Sequence, residues 1–159
     1  MNSQEFGDTF RAYLPKVSKY LSYRVNPNDV EDLASRIFEI AWQKRAACPE
    51  GKELPWLYKI SGFVVSNYRR KVTAISLSLF DTDATAPSAE DLVITDLALR
   101  QAWRNLGAKD RTVLALAAYE ELSTSEIAIA LGITKNAASI RLHRARKNFD
   151  AILKEIEVG

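Results

Sequence analysis

Cysteine occurs once in the 159 residues, at Cys48. A single thiol cannot close an internal disulfide or build a multi-cysteine metal site. A reducing compartment fits, and a buried, inert thiol is the expected state of Cys48. Histidine also occurs once, at His143. There is no His-Glu metal signature, no Gly-rich phosphate loop and no nucleophile elbow. Carboxylates are plentiful, but paired acids on helices are far more often solvated surface than catalysts. The chain is therefore expected to be no enzyme and to need no metal and no cofactor. No apolar run is long enough to span a membrane. The opening Met-Asn-Ser-Gln-Glu-Phe-Gly-Asp is polar and acidic, unlike a secretory signal. A cytoplasmic protein with no membrane insertion of its own is expected. Net charge is only +2, so a nucleic-acid surface has to come from clustering of cations.

Acids are missing from one stretch near the end, 135–147, where Lys135, Arg141, Arg144, Arg146 and Lys147 lie. That stretch closes a pattern of two short helices around a turn. Ser123 can cap the first helix, with Glu126 three residues on completing a capping box. Ile127, Ala130 and Leu131 give it a buried face. Gly132 supplies the turn, where a positive φ costs least. Thr134 can cap the second helix, whose Ala138, Leu142, Ala145 and Phe149 recur at helical spacing and form its core stripe. Lys135, Asn136, Ser139, Ile140, His143 and Arg144 point away from that stripe. This is the pattern of a DNA-binding helix-turn-helix. A helix fits the major groove and its first side chains reach base edges, while surrounding cations neutralise phosphates. A plain helical hairpin with a solvated basic face would explain one basic helix. It would not explain the cap, the glycine turn, the small residues at the crossing and the missing acids together.

From the N-terminus, Phe6, Phe10, Leu14, Val17 and Leu21 predict one amphipathic helix, broken by Asn26-Pro27-Asn28. Asn28 is expected to cap a second helix, with Val30, Leu33, Ile37 and Ala41 as its core stripe and Phe38 and Trp42 widening it. Asp32, Arg36 and Glu39 lie off that face. A further helix is predicted from about Pro55 to Lys71, since Pro suits a first turn. Leu57, Ile60, Val64 and Tyr68 form its buried side. Another line on it reads Trp56, Lys59, Phe63, Asn67, Arg70 and ends in Arg69-Arg70-Lys71. Aromatic faces stack unpaired bases and cations follow the backbone, which is how proteins hold single strands. Equally, Trp56 and Phe63 can be partly core and the cations a helix C-cap; the helix alone does not separate these readings.

Lysine and arginine are absent from 72–99, where Asp81, Asp83, Glu90, Asp91 and Asp96 lie. The small, polar run 82–88 contains a helix-breaking proline, the composition of a flexible acidic linker. Ile75, Leu77 and Leu79 are expected to make no more than a local contact. Helical periodicity resumes at Leu97, Ala98, Trp103 and Leu106, ends at Gly107, and returns over Asp110–Ala117. The expected fold is all-α: two small helical domains, 1–72 and 96–159, joined by the linker 73–95. Two such units on a linker are expected to bury little surface against each other.

In this order, the motifs resemble an extracytoplasmic-function (ECF) RNA polymerase sigma factor of the sigma-70 superfamily. Val30-Glu-Asp-Leu33, Ile37-Phe38 and Ala41-Trp42 are similar to that family's polymerase-binding helix. Pro55-Trp-Leu-Tyr-Lys-Ile60, Val64-Val-Ser-Asn67 and Arg69-Arg70 resemble its promoter-melting helix. Leu122-Ser123, Glu126-Ile-Ala128, Leu131-Gly-Ile133 and Arg141-Leu-His-Arg-Ala-Arg146 resemble its helix-turn-helix. Ser35-Arg36 stands where members usually carry Gln and an acid, Gly62-Phe63 where many have a basic residue or Asn, and Ile140 where a small polar residue is commoner. The resemblance implies contact with core RNA polymerase through Glu31, Asp32, Ser35, Arg36 and Glu39. It implies capture of the melted (−10) strand by Trp56, Lys59, Phe63, Asn67, Arg69, Arg70 and Lys71. It implies reading of the upstream (−35) element by Lys135, Asn136, Ser139, Ile140, His143, Arg144 and Lys147. It further implies promoter DNA and an anti-sigma factor as partners, and a linker that runs through the polymerase's RNA channel. A free-standing dimeric regulator would leave the aromatic-basic helix unexplained and shows no heptad seam. A protein-only adaptor would leave the acid-free helix unexplained.

Overall fold

The computed structural model describes residues 2–73 and 82–158. Among them every regular element is helical. In chain order the α-helices are α1 (Ser3–Arg11), α2 (Leu14–Ser22), α3 (Val30–Gln43), α4 (Glu53–Thr73), α5 (Leu97–Asn105), α6 (Ala108–Ala118), α7 (Thr124–Leu131) and α8 (Lys135–Val158). Short 3₁₀ turns sit at Pro27–Asp29, Arg45–Ala47 and Thr82–Thr85.

The first predicted helix is two. Asn2 caps α1 through a capping box with Glu5, and the chain breaks at Ala12-Tyr13 before α2. Pro15 explains the break: it has no N–H to give to Arg11, and its ring would crowd that carbonyl. At the next boundary the cap also differs from expectation. Asn26, not Asn28, provides the side-chain acceptor, taking the Asn28 N–H at 3.0 Å, and α3 starts after a 3₁₀ turn with no side-chain cap of its own. The pyrrolidine of Pro27 fixes φ in a range that suits that turn.

In the C-terminal half the local signals act as written. Ser123 and Glu126 form the capping box of α7, and Gly132 follows it in the left-handed region at φ 68°. The Thr134 hydroxyl accepts the Ala137 N–H at 3.1 Å at the start of α8. Ala138, Leu142 and Ala145 are buried against α6 and α7.

One continuous core runs through both halves. Phe10, Val17, Leu21, Ile37, Leu57 and Val65 share it with Val113, Leu116, Ile127 and Leu131. Helix α4 is its spine: it packs on α2 and α3 on one side and on α7 on the other. The expectation of little burial between the halves is therefore corrected. The physical reason is that α4 carries apolar residues around most of its circumference, with Leu57, Tyr58, Ile60, Val64 and Val65 all buried. A helix that apolar needs cover on more than one side.

The acidic stretch between the halves carries packing of its own where it is described. Ala89 and Leu92 join Trp103, Leu106 and Ala115 in a second small cluster. The Trp103 indole N–H donates to the Pro87 carbonyl at 3.0 Å. Ile75, Leu77 and Leu79 lie outside the described residues.

Candidate nucleic-acid interface

Helix α8 presents a clean face. Lys135, Asn136, Ser139, Ile140, His143, Arg144 and Lys147 are all exposed, while Ala138, Leu142 and Ala145 on the opposite side are buried. The helix axis is held by that buried stripe against α5, α6 and α7. Its N-terminal turn, where Lys135, Asn136 and Ser139 lie, projects directly beyond the Gly132 turn. Ile140 is 43% exposed, an apolar side chain left at the surface of that face. Phe149, expected in the core stripe, is half-buried with its ring 6.4 Å from that of Trp103.

Helix α4 divides its predicted residues. Lys59, Phe63 and Lys71 are exposed, and Phe63 shows 46% of its surface. Trp56 is only 8% exposed, and its ring packs 6.2 Å from that of Phe10. Its indole belongs to the core, with an edge at the surface. Asn67 and Arg70 are half-buried and hydrogen-bonded to each other. Arg69 is turned inward. Its guanidinium donates to the carbonyls of Ala84 (2.7 Å), Ala86 (2.8 Å) and Arg24 (3.1 Å). Burial and the nearby Arg24 lower its pKa from the ordinary arginine value.

Beside Phe63 and Lys59 an open cleft of about 600 Å³ lies between α3 and α4. Arg36, Gln43, Lys44 and Lys59 supply its polar rim, and Ile40, Ile60 and an edge of Trp56 its floor. The sequence reading missed Gln43 and Lys44. Their signal is their spacing from Arg36, seven and eight residues on, which returns to the same side of a helix. Cys48 is half-buried rather than buried, and burial followed by Glu53 pushes its thiol pKa up, which disfavours the reactive thiolate.

On α3, Glu31, Asp32, Ser35, Arg36 and Glu39 are all exposed on one side, opposite Ala34, Ile37 and Ala41. Next to them an apolar groove is lined by Leu14, Val30, Ala34 and Phe38.

Comparison with known proteins places the chain in a family. A family model described as Sigma-70, region 4 matches residues 96–149, which hold α5 to α8 as far as Phe149. RNA polymerase sigma factor SigZ of Bacillus subtilis (strain 168) is 30% identical over 160 residues, covering 97% of this chain and 88% of its own. RNA polymerase sigma factor CarQ of Myxococcus xanthus is 30% identical over 162 residues, covering 96% of this chain and 91% of its own. The chain belongs to the RNA polymerase sigma factors. It is an alternative sigma factor of the ECF type, a transcription initiation factor acting in promoter recognition.

The sigma factor also shares its fold with solved structures at low identity. The sigma factor RpoE in complex with the anti-sigma factor NepR from Bartonella quintana superposes with a TM-score of 0.63 at 20% identity, covering 95% of this chain and 98% of that one. CnrH in complex with the cytosolic domain of CnrY gives 0.64 at 21% identity, covering 97% and 90%. Among the described residues, no helix of this sigma factor is long and apolar enough to cross a membrane.

Proposed function

We propose that this sigma factor reads the upstream (−35) promoter element as duplex DNA with the exposed face of α8 and holds the melted (−10) strand along α4. The observation that carries this reading is the acid-free, exposed face of α8 between Lys135 and Lys147, set on a capped helix beyond a left-handed glycine turn. Lys135, Arg144 and Lys147 neutralise phosphates, and Asn136, Ser139 and His143 reach base edges. Ile140 offers apolar contact of the kind a thymine methyl accepts. On α4, Phe63 stacks an unpaired base and Lys59, Asn67, Arg70 and Lys71 follow the strand's phosphates. The cleft between α3 and α4, with its cationic rim, is wide enough to take an unstacked base. Trp56 is assigned to holding that surface in place, and Arg69 reaches a phosphate only after leaving its present carbonyls.

Core RNA polymerase docks on the exposed side of α3, at Glu31, Asp32, Ser35, Arg36 and Glu39, with the apolar groove beside Phe38 adding contact area. The polymerase makes the phosphodiester bonds, and the sigma factor itself catalyses no step. It works in the cytoplasm, where promoter DNA is. Residues 1–72 and 96–159 act as the two working units, with 73–95 between them. An anti-sigma factor is the expected inhibitor; the sigma factor RpoE from Bartonella quintana is solved in complex with one, NepR.

The test is reconstitution. Core polymerase, this chain and a library of promoter fragments are combined, and run-off transcripts are sequenced. Selected initiation at fragments sharing an upstream and a start-proximal motif supports the reading. Transcription no different from core polymerase alone would sink it.

A further inference from the structure

The exposed face of α8 is polar and basic except at one point. Ile140 shows 43% of its surface there. Asn136, His143 and Arg144 are its neighbours one helical turn away on either side, and all three are exposed. Among the described residues the other large exposed apolar side chain of α8 is Val158, at the last residue of the helix.

Neither packing nor helix formation calls for isoleucine at this position. The buried stripe of α8 is Ala138, Leu142 and Ala145. β-Branched residues are poorer helix formers than Ala, Lys or Glu. Their stiffness has another use. In a helix, Ile holds one χ1 rotamer in about 90% of cases. Its methyl groups are thus presented in a fixed place, with little rotamer freedom left to lose on contact.

The charge around Ile140 says what covers it. The stretch 135–147 holds five cations and no acid. Cations elsewhere are held inside the chain. Arg24 lies buried against Glu120, with Nη1 to Oε1 at 2.6 Å, and Arg69 donates to the carbonyls of Ala84 and Ala86. Lys135, Arg144 and Lys147 stay at the surface. A face of this charge takes a polyanion. The major groove of duplex DNA shows donors, acceptors and one apolar group, the C5-methyl of thymine.

We propose that Ile140 makes this sigma factor a reader of C5-methyl groups in duplex DNA. Its upstream element then carries a thymine, or a cytosine methylated at C5, that an unmethylated pyrimidine cannot replace without loss. The proposal rests on the reading above that the α8 face meets the upstream element, and it names the chemical group read there. The helix also sets the place of that group. At about 1.5 Å of rise per residue, Asn136 and Arg144 stand roughly 6 Å along the axis to either side of Ile140. Stacked base pairs are about 3.4 Å apart. With α8 along the groove, the methylated pyrimidine lies between the contacts of Asn136 and Arg144, within about two base pairs of each. 5-Methylcytosine is a partial substitute, since it restores the methyl but presents an N4 donor where thymine has its O4 acceptor.

The test lets the reconstituted holoenzyme select upstream elements from two duplex libraries of the same random design. One is synthesised with thymine and the other with uracil, which lacks only the methyl. The thymine library should yield an element with a preferred central thymine. The uracil library should lose the preference at that position and keep it at the flanking ones. On one selected duplex, thymine to uracil at that position should weaken binding about three- to fivefold, the effect of one buried carbon. 5-Methylcytosine there should bind more tightly than cytosine. Ile140→Ser trims an exposed side chain and leaves the buried stripe intact. It should keep the parent's melting temperature and salt slope and bind the thymine and uracil duplexes alike. Ile140→Val keeps the branched Cβ and should keep the discrimination. Identical motifs and affinities with the two libraries overturn the proposal, and so does discrimination that persists in Ile140→Ser. A parent holoenzyme that selects no upstream element from the thymine library, and that Arg144→Ala leaves unchanged, would instead overturn the functional reading, and this proposal with it.

Discussion

Helices α8 and α4 were both expected to touch DNA, and the fold treats them differently. On α8 all seven expected residues are exposed, because the helix packs through one narrow stripe of Ala138, Leu142 and Ala145. On α4 the expected residues split among surface, core and structural roles, because that helix is packed by α2, α3 and α7 together. The lesson concerns how many faces of a helix are packed. A helix with one packed face leaves its other face to be read directly from spacing. A helix in the middle of a structure has each of its stripes taken by a different partner.

The sharpest way to break this comparison is to cut back the two aromatics of α4. Trp56→Ala should destabilise the fold by about 3–5 kcal/mol, since it empties a core site against Phe10. Phe63→Ala should leave the melting temperature nearly unchanged and weaken binding of a single-stranded non-template oligonucleotide to the holoenzyme by roughly 1–3 kcal/mol. Chemical denaturation and strand titration measure the two effects. A reversed pattern would exchange the roles assigned to these rings.

On α8 the corresponding change is Arg144→Ala. If the side chain meets phosphate, the slope of log affinity against log salt should fall by about one unit. If it reads a base, selectivity at one position should relax by roughly 1–3 kcal/mol. Unchanged affinity and selectivity on upstream-element duplexes would remove α8 from the interface.

The turn that aims α8 offers a smaller effect. Gly132→Ala places a side chain at φ 68°, and its Cβ would meet Lys59 only at ordinary contact distance. The cost is then backbone strain of about 1–2 kcal/mol, readable as a lower melting temperature with upstream-duplex selectivity kept.

The smallest expected effect is on pH. Burial raises the Glu120 pKa from the ordinary carboxylate value and outweighs the opposing pull of Arg24 and Lys19. The folded chain therefore binds the proton more tightly than the unfolded one. This group's contribution to stability is fully present below the ordinary carboxylate pKa and is lost as pH rises through the folded-state value. Arg24, Lys16, Lys19, Tyr20, Tyr58, Tyr119 and Glu121 surround it. Burial raises the pKa of Tyr20, Tyr58 and Tyr119, so these phenols stay neutral across the range. The melting temperature should fall modestly as pH rises above the ordinary carboxylate range, and Glu120→Leu should abolish that dependence.

What was legible in the residues alone was local. The Ser123–Glu126 box, the Gly132 turn and the Thr134 cap are short-range hydrogen bonds and backbone preferences, set by residues within four positions of each other. The faces of α3 and α8 follow from helical period. The split of the first helix was also local, since Pro15 was there to be read. Tertiary structure alone decided the partners of residues far apart in sequence. Arg24 and Glu120 stand 96 positions apart by their numbers, and nothing near either one distinguishes it from a solvated surface charge. Arg69 lies in a basic run that looks free, yet carbonyls fifteen and seventeen residues on satisfy it. Composition marks the joining segment as acidic and small, but not that Ala89 and Leu92 fit beneath Trp103. A helical period says which side of α4 is apolar. How many neighbours arrive to cover it depends on the packing of the whole chain, because burial is a property of the assembled surface and not of the segment that supplies it.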